Sequence, residues 1–309
     1  MTNSPTRVSI TTPDFVKRLD RLRIHVRAAR GSRPGETLIP RSSQLWGIEF
    51  ESYKEYTPGD DFRYVDWNAV GRLDQLLVKT FTAEREIPYH IFLDTSASMG
   101  SPALDQKFSF AVDLVAALSY VVLLNNDTLH VVAFASPEKG QRPFAVLPMV
   151  RHRGYFLRVV SFLESLFPAG KTYLREAVRA YVEQAKEPGV ALLISDFLTE
   201  PAQYEEALLL LRTRGYEVKA LHVVGAAELE PQRLFRRGKL FDVEDHAERW
   251  ITLSQANLQR YQEVQRAHFE ALQQFCLRYH ILYTRLSTAS RMAAVLTEEL
   301  PKAGLLTLR

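Results

Sequence analysis

The feature that most constrains this chain is a set of short apolar stretches that do not alternate with polar residues. Tyr89–Leu93, Leu129–Ala135, Val190–Ser195 and Val218–Val224 are each the length of one strand. A strand without period-two alternation is covered on both faces. Between these stretches lie longer segments with helical spacing, expected as helices at Pro102–Leu124, Tyr155–Leu166, Tyr173–Lys186 and Ala202–Arg212. A shorter strand is expected at Phe144–Met149. Strands interleaved with helices imply an α/β fold, Rossmann-like and doubly wound, with a mostly parallel sheet wrapped on both sides. Sheets of this kind bind ligands outside the carboxyl ends of their strands.

Two flanking regions differ in texture. The stretch 1–87 reads as an N-terminal helix followed by short strands. Asp14 is its expected N-cap, with Phe15, Leu19, Leu22 and Val26 on one face and Lys17, Arg18, Arg21, Arg23, Arg27 and Arg30 on the other. Strands are expected at Gly47–Tyr56 and Leu76–Thr82, with a turn at Thr57-Pro58-Gly59-Asp60. The sheet domain then runs over 88–309. A hairpin, Leu240–Val243 with Arg249–Leu253, reads as an insertion spanning about 228–254, followed by a helix from Ser254 to Tyr279 and a last βα unit.

The residues that carry chemistry sit where such a sheet needs them. Asp94-Thr95-Ser96-Ala97-Ser98 follows the first buried strand. Alternate residues of an extended loop point the same way, so one carboxylate and two hydroxyls converge. These are hard oxygen ligands, suited to Mg²⁺, Mn²⁺ or Ca²⁺ and not to zinc. Thr172 lies on a turn just before a helix, and Asp196 ends the strand Val190–Ser195. Both fall on the same rim as Asp94. Taken singly, each has a plainer reading as a helix cap or a turn residue; together they favour a metal.

The set Asp94, Ser96, Ser98, Thr172 and Asp196 resembles the metal-ion-dependent adhesion site of von Willebrand factor A domains. That resemblance implies one divalent cation, Mg²⁺ first with Mn²⁺ or Ca²⁺ as alternatives, held by these five residues, some through water. Phe197 departs from the pattern, standing where a glycine often follows the second aspartate. Upstream, Gly47-Ile48-Glu49-Phe50, Tyr53, Tyr56-Thr57-Pro58-Gly59-Asp60-Asp61, Arg63, Asp66-Trp67 and Val78-Lys79-Thr80-Phe81 resemble a bacterial family of unknown function, numbered fifty-eight. Its members join this signature to an A-like domain. They are often encoded beside MoxR-type AAA+ ATPases, which implies such an ATPase as partner, or a client protein offering a carboxylate to the metal. Within Pro58–Trp67, the residues Asp60, Asp61, Arg63, Asp66 and Trp67 are candidates for partner binding. The plainer reading there is a tight turn with ion pairs, Asp60 or Asp66 with Arg63 or Arg72.

The remaining observations narrow the function classes. No G-x-x-x-x-G-K-[ST] motif occurs, so ATP chemistry is expected only from a partner. The eight histidines show no paired metal spacing, and a non-enzymatic interaction module is the expectation. A metal-dependent hydrolase is the first alternative, lacking a histidine beside the motif to act as general base. A nucleic-acid binder using the basic first helix is the second, disfavoured by a net charge of only +3. Cys276 is the single cysteine, so no disulfide forms within the chain. The opening MTNSPTRVSI lacks the apolar core of a signal peptide, and a cytoplasmic protein is expected.

Overall fold

A computed structural model of the chain describes residues 17–26, 48–73, 75–83, 87–101, 105–135, 143–185, 187–233, 237–241, 248–252 and 254–308. The elements begin with β1 (Leu22–Ile24), β2 (Ile48–Glu55), α1 (Trp67–Leu73), β3 (Leu77–Ala83) and β4 (Pro88–Asp94). Next come α2 (Lys107–Leu124), β5 (Thr128–Phe134), β6 (Phe144–Val150), α3 (Phe156–Glu164), α4 (Leu174–Val182) and β7 (Val190–Ser195). Then follow α5 (Pro201–Thr213), β8 (Glu217–Val224), α6 (Ala226–Leu229), β9 (Arg237–Phe241) and β10 (Glu248–Thr252). Last are α7 (Gln255–Arg278), β11 (Leu282–Ser287), helical turns over Met292–Lys302 and β12 (Leu306–Leu308).

The chain falls into two compact units, Met1–Val26 with Ile87–Arg309, and Arg27–Glu86. The larger holds a six-stranded sheet in the order β11-β8-β7-β4-β5-β6. All neighbours are parallel except β5 and β6, which are antiparallel. The expected doubly wound α/β architecture is therefore present. The chain enters at β4, winds outward through β5 and β6, then returns to β7 and winds the other way. The order reverses between β4 and β7, and the crevice at their carboxyl ends is the topological switch point.

Burial on both faces explains the unalternating strands. Ile91, Leu93, Val131, Leu192, Ile194, Leu221 and Val223 pack in one core with α2 and α3. Phe92, Val132, Phe134, Ala191, Leu193 and Ala220 pack in a second core with α4, α5 and α7. Alternate residues of one strand thus serve opposite layers, and the polar side chains buried among them, such as His90 and His222, are held by tyrosine hydroxyls. At roughly 25 cal/mol per Å² of apolar surface, these layers are the main source of stability. Helix α2 is long and apolar enough to cross a membrane by length and composition, yet it is the buried core helix of the first layer.

Three local expectations are corrected. The first helix does not extend to Val26: among the described residues of this stretch Lys17–Leu19 are helical, and Leu22–Ile24 form β1, paired antiparallel with β12. The i, i+2 pair Leu22 and Ile24, each about as buried as the other, outweighs the helical spacing of Leu19 and Leu22. β1 thus belongs to the larger unit although it precedes residue 87. Asp14, Phe15, Arg27 and Arg30 lie outside the described residues. Second, α2 starts at Lys107 and not at Pro102. Ser101 instead ends a 3₁₀ turn over Ala97–Gly100, and Gln106 takes a left-handed conformation just before the helix. Third, a short β12 follows the last helical turns, where only a helix was expected. The hairpin β9–β10 occurs in the expected interval between β8 and α7.

The smaller unit pairs β2 with β3 antiparallel around α1, a helix unforeseen between those strands. Its acids are tied to the strands. Asp66 accepts from Tyr53 Oη at 2.9 Å and from the amides of Asn68 and Ala69, and pairs with Lys79 at 3.1 Å.

Candidate functional site

The five expected ligands sit on three loops, Asp94, Ser96 and Ser98 on the first, Thr172 on another and Asp196 after β7. Asp94 is the last residue of β4, and the register Leu93↔Ile194 sets it level with Ser195 at the end of β7. Ser195 Oγ donates to Asp94 Oδ2 at 2.5 Å, and the Ser96 amide donates to Asp94 Oδ1 at 2.9 Å. Asp196, the next residue along, is buried on the same rim. Ser96 and Ser98 bring their hydroxyls to 3.0 Å of each other. Alternate side chains of this loop do converge, as the D-x-S-x-S spacing predicts.

The third loop is stitched to the first by two backbone bonds. The Ala97 amide donates to Gly170 O at 2.8 Å, and the Ala169 amide donates to Thr95 O at 2.8 Å. They bring Thr172 to the neighbourhood of Ser96. Its Oγ1 is buried and has no hydrogen-bond partner among the described residues. An orphaned buried hydroxyl costs about 1–3 kcal/mol, so it calls for something that the chain itself does not supply.

These residues fit a hard divalent cation. No group of three or more His, Cys, Asp or Glu side chains placed for a metal is found among the described residues. The rim's donors are instead two carboxylates and three hydroxyls, an oxygen set of the kind Mg²⁺, Mn²⁺ and Ca²⁺ accept. Burial, reinforced by the charge of Asp196, pushes the Asp94 carboxyl well above the ordinary carboxylate range. A buried carboxylate whose donors are an uncharged hydroxyl and an amide, as at Asp94, favours any cation that can reach it.

One participant has no counterpart in the sequence reading. Lys107, on the first turn of α2, is buried, and its Nζ donates to Asp196 Oδ2 at 2.8 Å. The same Nζ is also paired with Glu228 Oε1 on α6. Burial works against its charge, yet the two carboxylates together hold its pKa above the ordinary lysine value. Glu228 Oε2 accepts from the Gly225 amide at 3.0 Å, and Tyr261 and Gln265 of α7 both donate to the Glu228 carbonyl at 3.0 Å. Asp105 caps α6, accepting from Ala227 N at 2.5 Å and Glu228 N at 3.3 Å. A lysine among Phe108, Phe110 and Ala111 at the start of an apolar helix was the available signal.

Phe197 stands after Asp196 with φ of +50°, the left-handed region that a glycine at this place would adopt freely. Its amide donates to Ser195 Oγ at 2.9 Å. Its ring is fully buried and meets His222 edge-on at 5.4 Å between centroids. Burial drives His222 to a pKa of about 3, so the imidazole is neutral beside the rim.

The five candidates in the smaller unit divide into two kinds. Asp60 pairs with Lys54 and accepts from Thr57 N and Oγ1, while Asp61 pairs with Arg63. Lys54 and Thr57 hold the Asp60 carboxyl down at about 2, and Lys79 and Tyr53 hold Asp66 at about 2. Ion pairs do form in this turn, but not the expected ones: Asp60 and Asp66 take their cations from Lys54 of β2 and Lys79 of β3, and Arg63 pairs with Asp61. Strand lysines are closer because the turn folds back on the hairpin. Trp67 differs: it is 65% exposed, as is Phe62 at 69%.

Comparisons with known proteins agree with this picture at the level of family. The chain is 27% identical over 202 residues to the uncharacterized protein Mb1516 of Mycobacterium bovis and to Rv1480 of Mycobacterium tuberculosis. The match covers 65% of this chain but only 57% of those relatives' length. Among solved structures, the conserved hypothetical protein BatB of Bacteroides thetaiotaomicron aligns with a TM-score of 0.43 and 18% identity, covering 70% of this chain and 98% of that one. A von Willebrand factor type A structure from Catenulispora acidiphila aligns with a TM-score of 0.34 and 18% identity, covering 48% and 35%. A family model described as "Protein of unknown function DUF58" matches residues 52–271, more than half of the chain, and the chain belongs to that family.

Proposed function

We propose that this protein is a non-catalytic interaction module that holds one divalent cation, Mg²⁺ first among them, at Asp94, Ser96, Ser98, Thr172 and Asp196. The observation that carries the reading is the buried, partnerless Thr172 Oγ1 on the rim where two carboxylates and two serine hydroxyls already converge. A bound ion supplies a Lewis-acidic position that an incoming carboxylate can complete.

The chain's own residues do the rest. Ser195 and the Ser96 amide orient the two oxygens of Asp94, while Leu198 N donates to Asp196 Oδ1 at 3.1 Å and fixes the second carboxylate. Exposed apolar side chains lie on the loops that carry the ligands, Phe167 and Tyr173 about Thr172 and Leu198 beyond Asp196. They offer contact area around an acidic side chain of a client protein. Within the same proposal, the partner is a MoxR-type AAA+ ATPase or its client, met in the cytoplasm, and the chain serves as adaptor in assembling or remodelling other proteins.

Calorimetric titration with Mn²⁺ tests the site, with one ion expected per chain and none in Asp94→Ala or Ser98→Ala. Capture of a MoxR-type ATPase or its client is expected to disappear with chelator and with Asp94→Ala. Unchanged titration and unchanged capture in these variants would overturn the reading.

A further inference from the structure

The larger unit carries a second surface toward the end of the sheet opposite the rim. Helix α2 starts at Lys107, against Asp196, and runs away from the rim, so Tyr120 lies about 20 Å along it. Two segments meet on Tyr120. Its Oη donates to Asp20 at 3.0 Å, and the Arg153 guanidinium lies over its ring at 5.5 Å from the centroid. The basic residues before β1 and those leading into α3 therefore share one face. Lys17, Arg18 and Arg21 are exposed on the first segment, and Arg153 and Arg158 on the second. Arg151 is tied beside them, its Nε donating to the Asn126 carbonyl at 3.2 Å. Between Glu138 and Glu164 the sequence has no acidic residue. Asp20 and Asp127 are engaged by Tyr120 and by the Ile87 amide, while Glu187 and Glu217 stand at the starts of β7 and β8, on the far side of β4.

Apolar side chains protrude among these charges. Leu157 is 75% exposed, Met149 61% and Tyr155 44%, and the Arg158 guanidinium lies over the Tyr155 ring at 5.7 Å. Beside them β6 is an edge strand, but Pro148 has no amide to donate, so a strand from a partner is poorly accommodated there. We propose that this face docks on an anionic phospholipid surface. Leu157, Met149 and Tyr155 enter the headgroup layer, and the arginines and lysine face the lipid phosphates. Nucleic acid would match the arginines but would leave Leu157 and Met149 in water. A protein partner needs a fitted pocket for each protruding side chain, whereas headgroups part around it. Apolar insertion and attraction between opposite charges then add on the same surface. With the rim some 20 Å away along α2, a docked chain keeps its ligand loops free for a partner. The docking does not depend on whether a metal occupies the rim.

The test is co-sedimentation of the whole chain with phosphatidylcholine vesicles, with and without about 30 mol% phosphatidylglycerol, in about 0.1 M NaCl. Wild type is expected to bind the anionic vesicles at least tenfold tighter than the neutral ones. Arg153→Glu/Arg158→Glu is expected to lose at least tenfold of that binding. Leu157→Ser, which leaves the net charge unchanged, is expected to lose at least threefold. Should the double variant fail to fold by circular dichroism, Leu157→Ser carries the test alone, its side chain being mostly exposed. Asp94→Ala is expected to bind vesicles as wild type does, and Leu157→Ser to titrate Mn²⁺ as wild type does, so this proposal and the metal reading fail separately. Equal binding to the two vesicle types, or Leu157→Ser that binds as tightly as wild type, overturns the proposal. So does binding of a DNA duplex in preference to the vesicles, lost in the double arginine variant and unchanged in Leu157→Ser.

Discussion

Gly225→Ala is a small substitution with a large expected effect. Gly225 ends β8's turn into α6, and a Cβ there would lie 2.0 Å from Asp105 Oδ2, 2.4 Å from its Cγ and 2.9 Å from its Cβ. No heavy atoms sit that close, so Asp105 must leave. It takes with it two charge-assisted bonds to the first turn of α6, the 2.5 Å bond from Ala227 N and the longer one from Glu228 N. Hydrogen bonds to charged groups contribute roughly 1.5–3 kcal/mol each, and the longer bond belongs at the bottom of that range, giving a loss of about 3–5 kcal/mol. The backbone of Gly225 is extended, with φ of −68°, so no conformational penalty of alanine itself enters. Urea unfolding measures the effect as a fall in midpoint at constant slope. The same substitution in an Asp105→Gly background, where all three contacted atoms are gone, is expected to cost about 1 kcal/mol or less. Equal costs in the two backgrounds, or a loss under about 1 kcal/mol in the wild-type background, would refute the steric argument.

Thr172→Val keeps the shape and removes a hydroxyl with no partner among the described residues; in the metal-free protein urea unfolding should show a gain of about 1–3 kcal/mol, while calorimetric Mn²⁺ affinity falls at least tenfold. His222 titrates near 3 in the native state against an ordinary 6.5, so between those values the unfolded chain takes up a proton that the native one refuses. Stability therefore falls as pH falls through that window, by about 1.4 kcal/mol per unit for this group. His222→Gln should lose about 2 kcal/mol less than wild type between pH 6.5 and 4.5 in urea unfolding; identical losses would remove His222 from the acid response. Asp66→Asn weakens the tie between α1 and β3, and amide exchange over 66–79 should quicken while exchange in β4 and β7 is unchanged. Trp67→Ala leaves the melting temperature within a degree or so of wild type, since its ring is mostly exposed, and reduced capture of a partner by this variant is the measurement that assigns the ring a binding role.

Legibility in the sequence followed how local each determinant was. Val190–Ser195 was read with its observed bounds because a fully buried strand writes its burial on every residue. The convergence of Ser96 with Ser98 was equally readable, since alternation within Asp94–Ser98 is a property of five neighbours. β1 was misread because Leu19, Leu22 and Val26 fit a helix as well as Leu22 and Ile24 fit a strand. What decides is the pairing with β12 nearly three hundred residues away, as in Arg23 with Thr307. Lys107 was missed for the same reason. Its partners Asp196 and Glu228 lie 89 and 121 positions distant, and a lone lysine carries no trace of them. Charge pairs within a few residues, such as Asp61 with Arg63, were foreseen in kind, while the strand lysines that hold Asp60 and Asp66 depend on the turn folding back.

The conformation of Phe197 has a consequence for how the rim ages under mutation. A bulky residue held left-handed costs about 1–3 kcal/mol, a debt carried only while its ring stays wedged against His222 and Tyr204. Glycine there would leave the segment after Asp196 free to wander. Phenylalanine instead bolts it to the layer beneath, so trimming His222 or Tyr204, remote from any ion, should loosen the grip of Asp196 before it unfolds the sheet.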